Sequence, residues 1–152
     1  MPGIDRSQPV TGAANWLVLL QRVVICALAG LLVYYHTYTL IELYIGSGTD
    51  FYGGPNANGH PVYMHTQSVL RVLIIVSLIL VAMNRRPALF GMWAAIGALV
   101  ATHYWAHFFA LPFPFLEGRH PLSYLKGFII PTAISLLFLS MHRRRGPGPS
   151  AA

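Results

Sequence analysis

Histidines supply most of the chemistry that this sequence can perform. His103 and His107 are four residues apart, so their imidazoles share one face of a helix. This spacing lets two imidazoles bind one metal ion, with His36 as the predicted third ligand. Imidazole and carboxylate ligands suit copper, iron or zinc. The glutamate of an HExxH motif is missing, so metalloprotease chemistry is not supported. The alternative third ligands are Glu42, His60 and His65.

Two organic cofactors also fit these residues. Haem needs axial histidines on facing helices, which His36 can supply together with His103 or His107. A quinone can dock beside the same histidines and the tyrosines that surround them. The ordinary alternatives are interfacial histidines that bond to their neighbours and an aromatic belt at the membrane surface. The sequence contains no nucleotide-binding motif and no nucleophile elbow, and its single cysteine, Cys26, excludes an intramolecular disulfide.

Three charged residues inside apolar segments predict a polar pocket. A charge in hydrocarbon is costly unless it is paired or reaches water. Arg71 precedes Asn84 by about 18 Å of helix, which is too short to span, so Arg71 is predicted about one turn below the outer surface. The predicted pocket contains His36 and places Glu42 opposite Arg71 or Lys126. The alternative is snorkelling, in which the two basic side chains reach lipid phosphates.

These residues are carried by four apolar segments. With 55% hydrophobic and only 9% charged residues, the chain has too few charges to cover a soluble domain, which usually carries about a quarter. Each segment supplies the roughly 20 residues that cross about 30 Å of hydrocarbon. We therefore predict an all-α integral membrane four-helix bundle over residues 15–142. Its predicted helices are about 16–45, 65–84, 88–111 and 122–141, flanked by flexible tails at 1–14 and 143–152.

The basic residues predict the orientation of the bundle. Seven of the ten fall on one side, which should be cytoplasmic and contain both termini, in a bacterial inner membrane. The net charge of +6 then follows from topology, and no soluble basic face for nucleic acid is visible. The inner basic residues are Arg6, Arg22, Arg85, Arg86, Arg143, Arg144 and Arg145, and the outer ones are Arg71, Arg119 and Lys126. The outer histidines are His36, His60, His65, His103, His107 and His120, whereas His142 is on the inner side.

The third helix carries the clearest packing pattern. Small residues recur four apart, and small residues let membrane helices approach closely. This pattern predicts contacts inside the bundle or a homo-oligomer interface. In the fourth helix, Pro131 is predicted to produce a kink, because its ring nitrogen cannot donate to the carbonyl of Gly127. The small pairs are Gly91 with Ala95, Ala94 with Ala98, and Gly97 with Ala101.

Two segments, ELYIGSGTDFYGG and RRPALFGMWAAIGALVATHYWAH, resemble the DoxX-like group of small bacterial membrane proteins. The second segment opens with an Arg-Pro turn and continues as a small-residue helix. The resemblance covers the layout of residues 16–141 and includes no catalytic motif. It implies four short helices with both termini inside, and a redox-associated role, because some members resemble quinone-linked oxidoreductase subunits. No site residue is implied by it.

Three functions are compatible with the sequence. The leading one is an accessory subunit of a membrane complex, in contact with lipid and with other membrane subunits or further copies of itself. The second is a self-contained oxidoreductase that uses a metal, haem or quinone near His36, His103 and His107. The third is a small proton-coupled carrier, in which Glu42, Arg71 and the histidines form a titrating relay.

Overall fold

The computed structural model describes residues 11–45, 61–109 and 120–144, and this part of the chain is all helical. The last helix begins with a 3₁₀ segment and continues as an α-helix. The elements are α1 (Thr11–Ile45), α2 (Pro61–Ala82), α3 (Ala88–Phe108), the 3₁₀ segment (Pro121–Phe128) and α4 (Ile129–Arg144). His60, Arg119 and most of the two predicted tails lie outside the described residues.

The helices differ from the predicted segments mainly at their ends. α1 begins at Thr11, ahead of the predicted residue 16, so the helix includes five residues that precede the apolar run. α2 begins at Pro61 instead of His65, since proline is suited to the first turn of a helix. The extra residues at the start of α2 place Arg71 farther from the end of its helix than predicted.

The outer surface of the described helices is rich in large apolar side chains, unlike the surface of a soluble protein. All four helices are long and apolar enough to cross a membrane. Large apolar side chains such as Phe90, which is 82% exposed, cover the outside. The buried residues, by contrast, include Arg71 and Gln67, each 2% exposed. A surface that is apolar around a partly polar interior is what a lipid solvent favours.

The packing order of the helices leaves one gap. α2 packs closely against both α1 and α3, and α4 packs against α1. The 3₁₀ segment packs mainly against α3, whereas α4 packs mainly against α1, so the two parts of the last helix contact different neighbours. The main apolar core, around Ile74, Leu78, Met92 and Ile134, lies on the α4 side of this division. Space therefore remains between α1 and the 3₁₀ segment.

Pro131 lies in the first turn of α4, just after the helix changes type. The 3₁₀ pattern continues to Ile129, whose N–H donates to the carbonyl of Lys126. Pro131 has no N–H to donate to the carbonyl of Gly127, which lies near the end of this 3₁₀ segment. In a 3₁₀ helix, residues three apart align, so the segment presents narrow ridges to its neighbours.

The turn between α2 and α3 is a Schellman motif with Asn84 in the left-handed conformation, at φ 66°. The Arg85 N–H donates to the carbonyl of Leu80 at 3.0 Å, and the Asn84 N–H donates to the carbonyl of Val81 at 2.8 Å. Asparagine tolerates this conformation better than other residues with a Cβ atom. The short turn places α2 and α3 side by side and antiparallel.

Replacing Asn84 tests this turn. We expect Asn84→Gly to leave the free energy of unfolding in detergent within about 0.5 kcal/mol of the parent, because glycine adopts positive φ without strain. Asn84→Val should lower it by about 1–2 kcal/mol, since a β-branched residue is poorly accommodated there. A valine variant as stable as the glycine variant would contradict the assigned turn.

Only one of the three predicted small-residue pairs lies at a close contact between described helices. A Cβ atom added to Gly91 would lie 2.9 Å from the Ser77 Oγ, so this glycine lets α3 approach α2. Ala95 is buried on the same face. The other two pairs are mostly outward: nothing described lies within 4 Å of a Cβ added to Gly97, and Ala94 and Ala101 are exposed.

The two glycines therefore form a matched test of helix packing. Gly91→Leu should lower the free energy of unfolding by about 1–3 kcal/mol, because its Cβ atom would lie too close to the Ser77 Oγ, which must move. Gly97→Leu should change it by no more than about 0.5 kcal/mol in detergent-solubilised monomers. Equal losses of unfolding free energy in both variants would show that the contact between Gly91 and Ser77 does not cause the destabilisation.

Candidate functional site

The centre of the site is Arg71, a basic residue buried in the middle of the helical assembly. Its Nη1 atom lies 3.2 Å from the Nδ1 of His36 on α1, and its Nη2 donates to the Oε1 of Gln67 at 3.3 Å. Because guanidinium only donates hydrogen bonds, the His36 Nδ1 is the acceptor in this pair. The imidazole is thereby held with its proton on Nε2, as a neutral ring that still has one donor.

Gln67 connects Arg71 to the rest of the polar cluster. While its Oε1 accepts from Arg71, its Nε2 lies 3.0 Å from the Tyr63 hydroxyl and 2.7 Å from the Thr102 Oγ1. The Thr102 hydroxyl in turn donates to the carbonyl of Leu99 at 2.7 Å. The cluster therefore links α2 to both α1 and α3, and each hydrogen-bonding atom of the Gln67 amide group is used.

A cavity of about 310 Å³ lies beside Arg71. It occupies the gap between α1 and the 3₁₀ segment, with α2 and α3 as its back wall. Its polar lining residues are Tyr35, His36, Arg71, His103, Ser123, Tyr124 and Lys126. Its other lining residues are Leu32, Ile96, Leu99, Val100 and Gly127.

The polar groups of the cavity are arranged by depth. His103 lies about 8 Å below the end of α3, and Lys126 lies about 10 Å into the 3₁₀ segment. His36 and Arg71 are deeper, about 14 and 15 Å from the nearer ends of their helices. Ile96 is deeper still, at about 18 Å, so an apolar floor lies under a polar upper part.

The helix bounds also revise the predicted depth of Arg71. The predicted depth, about one turn below the outer surface, was based on the length of helix between Arg71 and Asn84. Because α2 begins at Pro61, Arg71 lies near its midpoint, where snorkelling to a surface is hardest. Two guanidinium nitrogens are bonded within the bundle, Nη1 to His36 and Nη2 to Gln67, whereas the predicted partner was Glu42.

The lining is electropositive. Arg71 and Lys126 both border the cavity, and none of the described lining residues is acidic. Glu42 is the one acidic residue in the part of the chain that the structure describes, and it is not among the described lining residues. The Tyr38 hydroxyl, one turn earlier on α1, donates a hydrogen bond to the Glu42 carboxylate. An acceptor-bearing ligand would meet two positive charges and several donors in this cavity.

The predicted metal ligands do not form a site in this arrangement. Within the described residues, no three His, Cys, Asp or Glu side chains are placed to hold one ion. The His36 Nδ1 is occupied by Arg71, and the His103 Nδ1 bonds to the carbonyl of Leu99 at 2.7 Å. His107 packs its ring edge-on against Phe108 and Tyr124. His103 therefore bonds to the backbone of its own helix, and His107 packs against aromatic rings.

The structure brings together four of the residues singled out in the sequence. His36, Arg71, His103 and Lys126 border one cavity, whereas Glu42 and His107 do not appear in its described lining. Gln67 and Thr102 were not predicted, although both are essential to the cluster. A signal for Gln67 existed, since it lies one helical turn before Arg71 on the same face. Recognising Thr102 required knowledge of how α3 is rotated.

Comparisons with models of protein families, with curated proteins and with solved structures found no match. The resemblance to the DoxX-like group therefore stays a prediction.

Proposed function

We propose that this chain is a multi-pass membrane protein that binds a small, acceptor-rich ligand in the cavity beside Arg71 and acts as an accessory subunit of a membrane complex. The observation that carries the proposal is a buried guanidinium that borders a cavity of about 310 Å³. Small-molecule sites usually combine an apolar wall with a few placed polar groups, within about 300–1,000 Å³. This cavity has that composition.

The charge distribution supports an orientation with both termini in the cytoplasm of a bacterial cell. Arg22 on α1 lies beside Asn84 and Met141, which places the inner parts of α1, α2 and α4 at one end. Arg85, Arg86 and Arg143 belong to the same end, close to the ends of their helices. An excess of basic residues near helix ends marks the cytoplasmic side. The cavity then opens toward the outer half of the bilayer.

The accessory role is supported by what the helices leave uncovered. Gly97 has open space around it, and Ala94 and Ala101 are exposed on α3. Small residues on an outer face let another membrane helix approach closely. The described helices contribute the cavity and these packing surfaces, and a partner subunit or a second copy would use the outward face of α3.

Purification from native membranes tests the accessory role. We expect the chain to elute in mild detergent together with a stoichiometric partner, and to release one small molecule on organic extraction. The Arg71→Met variant should keep the partner and lose the small molecule. A chain that migrates alone as a monomer would contradict the subunit role, and an extract that is unchanged in Arg71→Met would contradict the ligand site.

A quinone-dependent oxidoreductase is a second candidate. The observation that favours it is the set of imidazole, guanidinium and tyrosine groups around one cavity with an apolar floor. Donors of this kind can hold the two carbonyl oxygens of a quinone. The extract would then show quinone absorbance that disappears on reduction with borohydride. An extracted ligand without this absorbance would contradict the quinone candidate and leave the ligand site intact.

A further inference from the structure

We infer that the cavity takes an anionic head group attached to one short aliphatic chain, and that this ligand enters sideways from the bilayer between α1 and the 3₁₀ segment. The inference rests on the proposed ligand site and specifies its chemistry. The shared chemistry of the expected ligands is a carboxylate or phosphate head with a single tail.

The sign of the head group follows from the charges of the lining. Arg71 and Lys126 are positive, and the described lining contains no acid that would compensate a positive ligand. Charge is expensive to keep in hydrocarbon, so an anion that pairs with two cations stabilises the cavity as well as itself. A guanidinium is also the side chain that best matches the geometry of carboxylate and phosphate oxygens.

The neighbours of Arg71 leave a consistent set of donors for such a head group. Because the His36 Nδ1 accepts from Arg71, its Nε2 carries a proton that can be donated. The Ser123 Oγ is buried at the cavity and has no hydrogen-bond partner among the described residues. Lys126 extends from the same 3₁₀ segment, one turn after Ser123. The oxygen atoms of a carboxylate or phosphate could accept hydrogen bonds from His36, Ser123 and Lys126.

The apolar part of the ligand follows from the depth profile. Leu32, Ile96, Leu99 and Val100 line the cavity below or beside the cations. A volume of about 310 Å³ is at the lower end for small-molecule sites. It accommodates one short chain and is too small for a phospholipid with two acyl chains. A single-chain amphiphile is therefore the ligand that the cavity can enclose whole.

The entry route follows from the helix packing. α1 and the 3₁₀ segment border the same cavity, yet each packs mainly against other elements. Tyr35 is 49% exposed on one side of this gap, and Lys126 and Gly127 are exposed on the other. Gly127 has no side chain to close the gap. An amphiphile in the outer leaflet can therefore reach Lys126 first and then Arg71.

The test uses purified full-length chain in nanodiscs of phosphatidylcholine, which carries no net charge. Native mass spectrometry measures the binding of octanoate, octyl phosphate and octan-1-ol, which share a tail and differ in the head. We expect one bound octanoate or octyl phosphate per chain and at least tenfold weaker binding of octan-1-ol. The stronger of the two anions identifies carboxylate or phosphate as the preferred head.

Substitutions locate the bound head group. Lys126→Gln should weaken binding of the preferred anion about tenfold, and Arg71→Met should weaken it about 10- to 100-fold, as expected for lost charge-assisted hydrogen bonds. Arg85→Gln removes an exposed cation at the other end of the chain's helices and should leave binding unchanged. Lys126 is exposed, so its variant remains informative even if Arg71→Met does not fold.

Two results would overturn the inference. One is octan-1-ol binding as tightly as the anions, and the other is anion binding that is unaffected by Lys126→Gln and Arg71→Met. A neutral short-chain benzoquinone serves as a separate arm. If it binds in an Arg71-dependent manner and the anions do not, the anionic inference fails while the ligand site stands. If none of these probes binds, the inference and the ligand site both fail.

Discussion

Gln67→Leu should lower the free energy of unfolding by about 2–4 kcal/mol. The substitution removes the hydrogen bonds to Arg71, Tyr63 and Thr102, each contributing roughly 0.6–1.5 kcal/mol. Part of the loss arises because the Arg71 guanidinium then lacks the amide oxygen that accepts from its Nη2. Unfolding of the purified chain in mixed detergent micelles, followed by circular dichroism, measures this change.

Gln21→Leu is the matched control for Gln67→Leu. Its Nε2 makes one described hydrogen bond, to the Ser140 Oγ at 3.0 Å, and its Oε1 is buried with no partner among the described residues. Replacing it with leucine should therefore change the free energy of unfolding by no more than about 1 kcal/mol. Equal losses in the two variants would mean that Gln67 does not hold a network.

The second large effect is expected for Leu78→Ala. Leu78 is 0% exposed, on the face of α2 that meets the main apolar core. Its truncation should leave a cavity and lower the free energy of unfolding by about 2–5 kcal/mol, through lost packing contacts. The same detergent unfolding experiment measures this effect, and a bound ligand must be removed first so that it does not mask the loss.

Leu73→Ala on the same helix provides the comparison. Leu73 is 49% exposed and belongs to the apolar outer surface, where detergent or lipid replaces its missing methyl groups. We expect a change below about 0.5 kcal/mol. If Leu73→Ala destabilised the chain as much as Leu78→Ala, the assignment of inner and outer faces of α2 would be wrong.

The fold was largely accessible from the sequence because it depends on long apolar runs. Four segments with few charges leave little alternative to four long apolar helices, and the described helices follow them. The ends were harder to predict, since they depend on local turn chemistry. Pro61 extends α2, and the 3₁₀ segment Pro121–Phe128 has no counterpart in the apolar pattern of the sequence.

The site was accessible only in part. Residue type alone singled out Arg71, His36 and Lys126, because charge and imidazole are rare in apolar helices. Their convergence depends on helix rotation, which single-sequence patterns do not determine when apolar residues occur on every face. For the same reason, the i, i+4 pair of His103 and His107 suggested a metal, whereas the structure turns only His103 toward the cavity.

Accessibility of the cavity is tested with cysteine. The measurement uses Gly127→Cys, at an exposed position of the cavity lining, in a Cys26→Ser background, so that the introduced thiol is unique. Intact cells are treated with a negatively or a positively charged methanethiosulfonate, neither of which crosses the membrane. Ser140→Cys, near the opposite end of α4, is the control and should not react from outside.

The rate of this reaction reports both the side of the membrane on which the cavity opens and the charge of the cavity. We predict that Cys at position 127 reacts from outside, faster with the negative reagent than with the positive one. Adding Lys126→Gln should reduce that preference several-fold. A thiol that reacts only from the cytoplasmic side, or that prefers the positive reagent, would contradict an outward-facing, electropositive cavity.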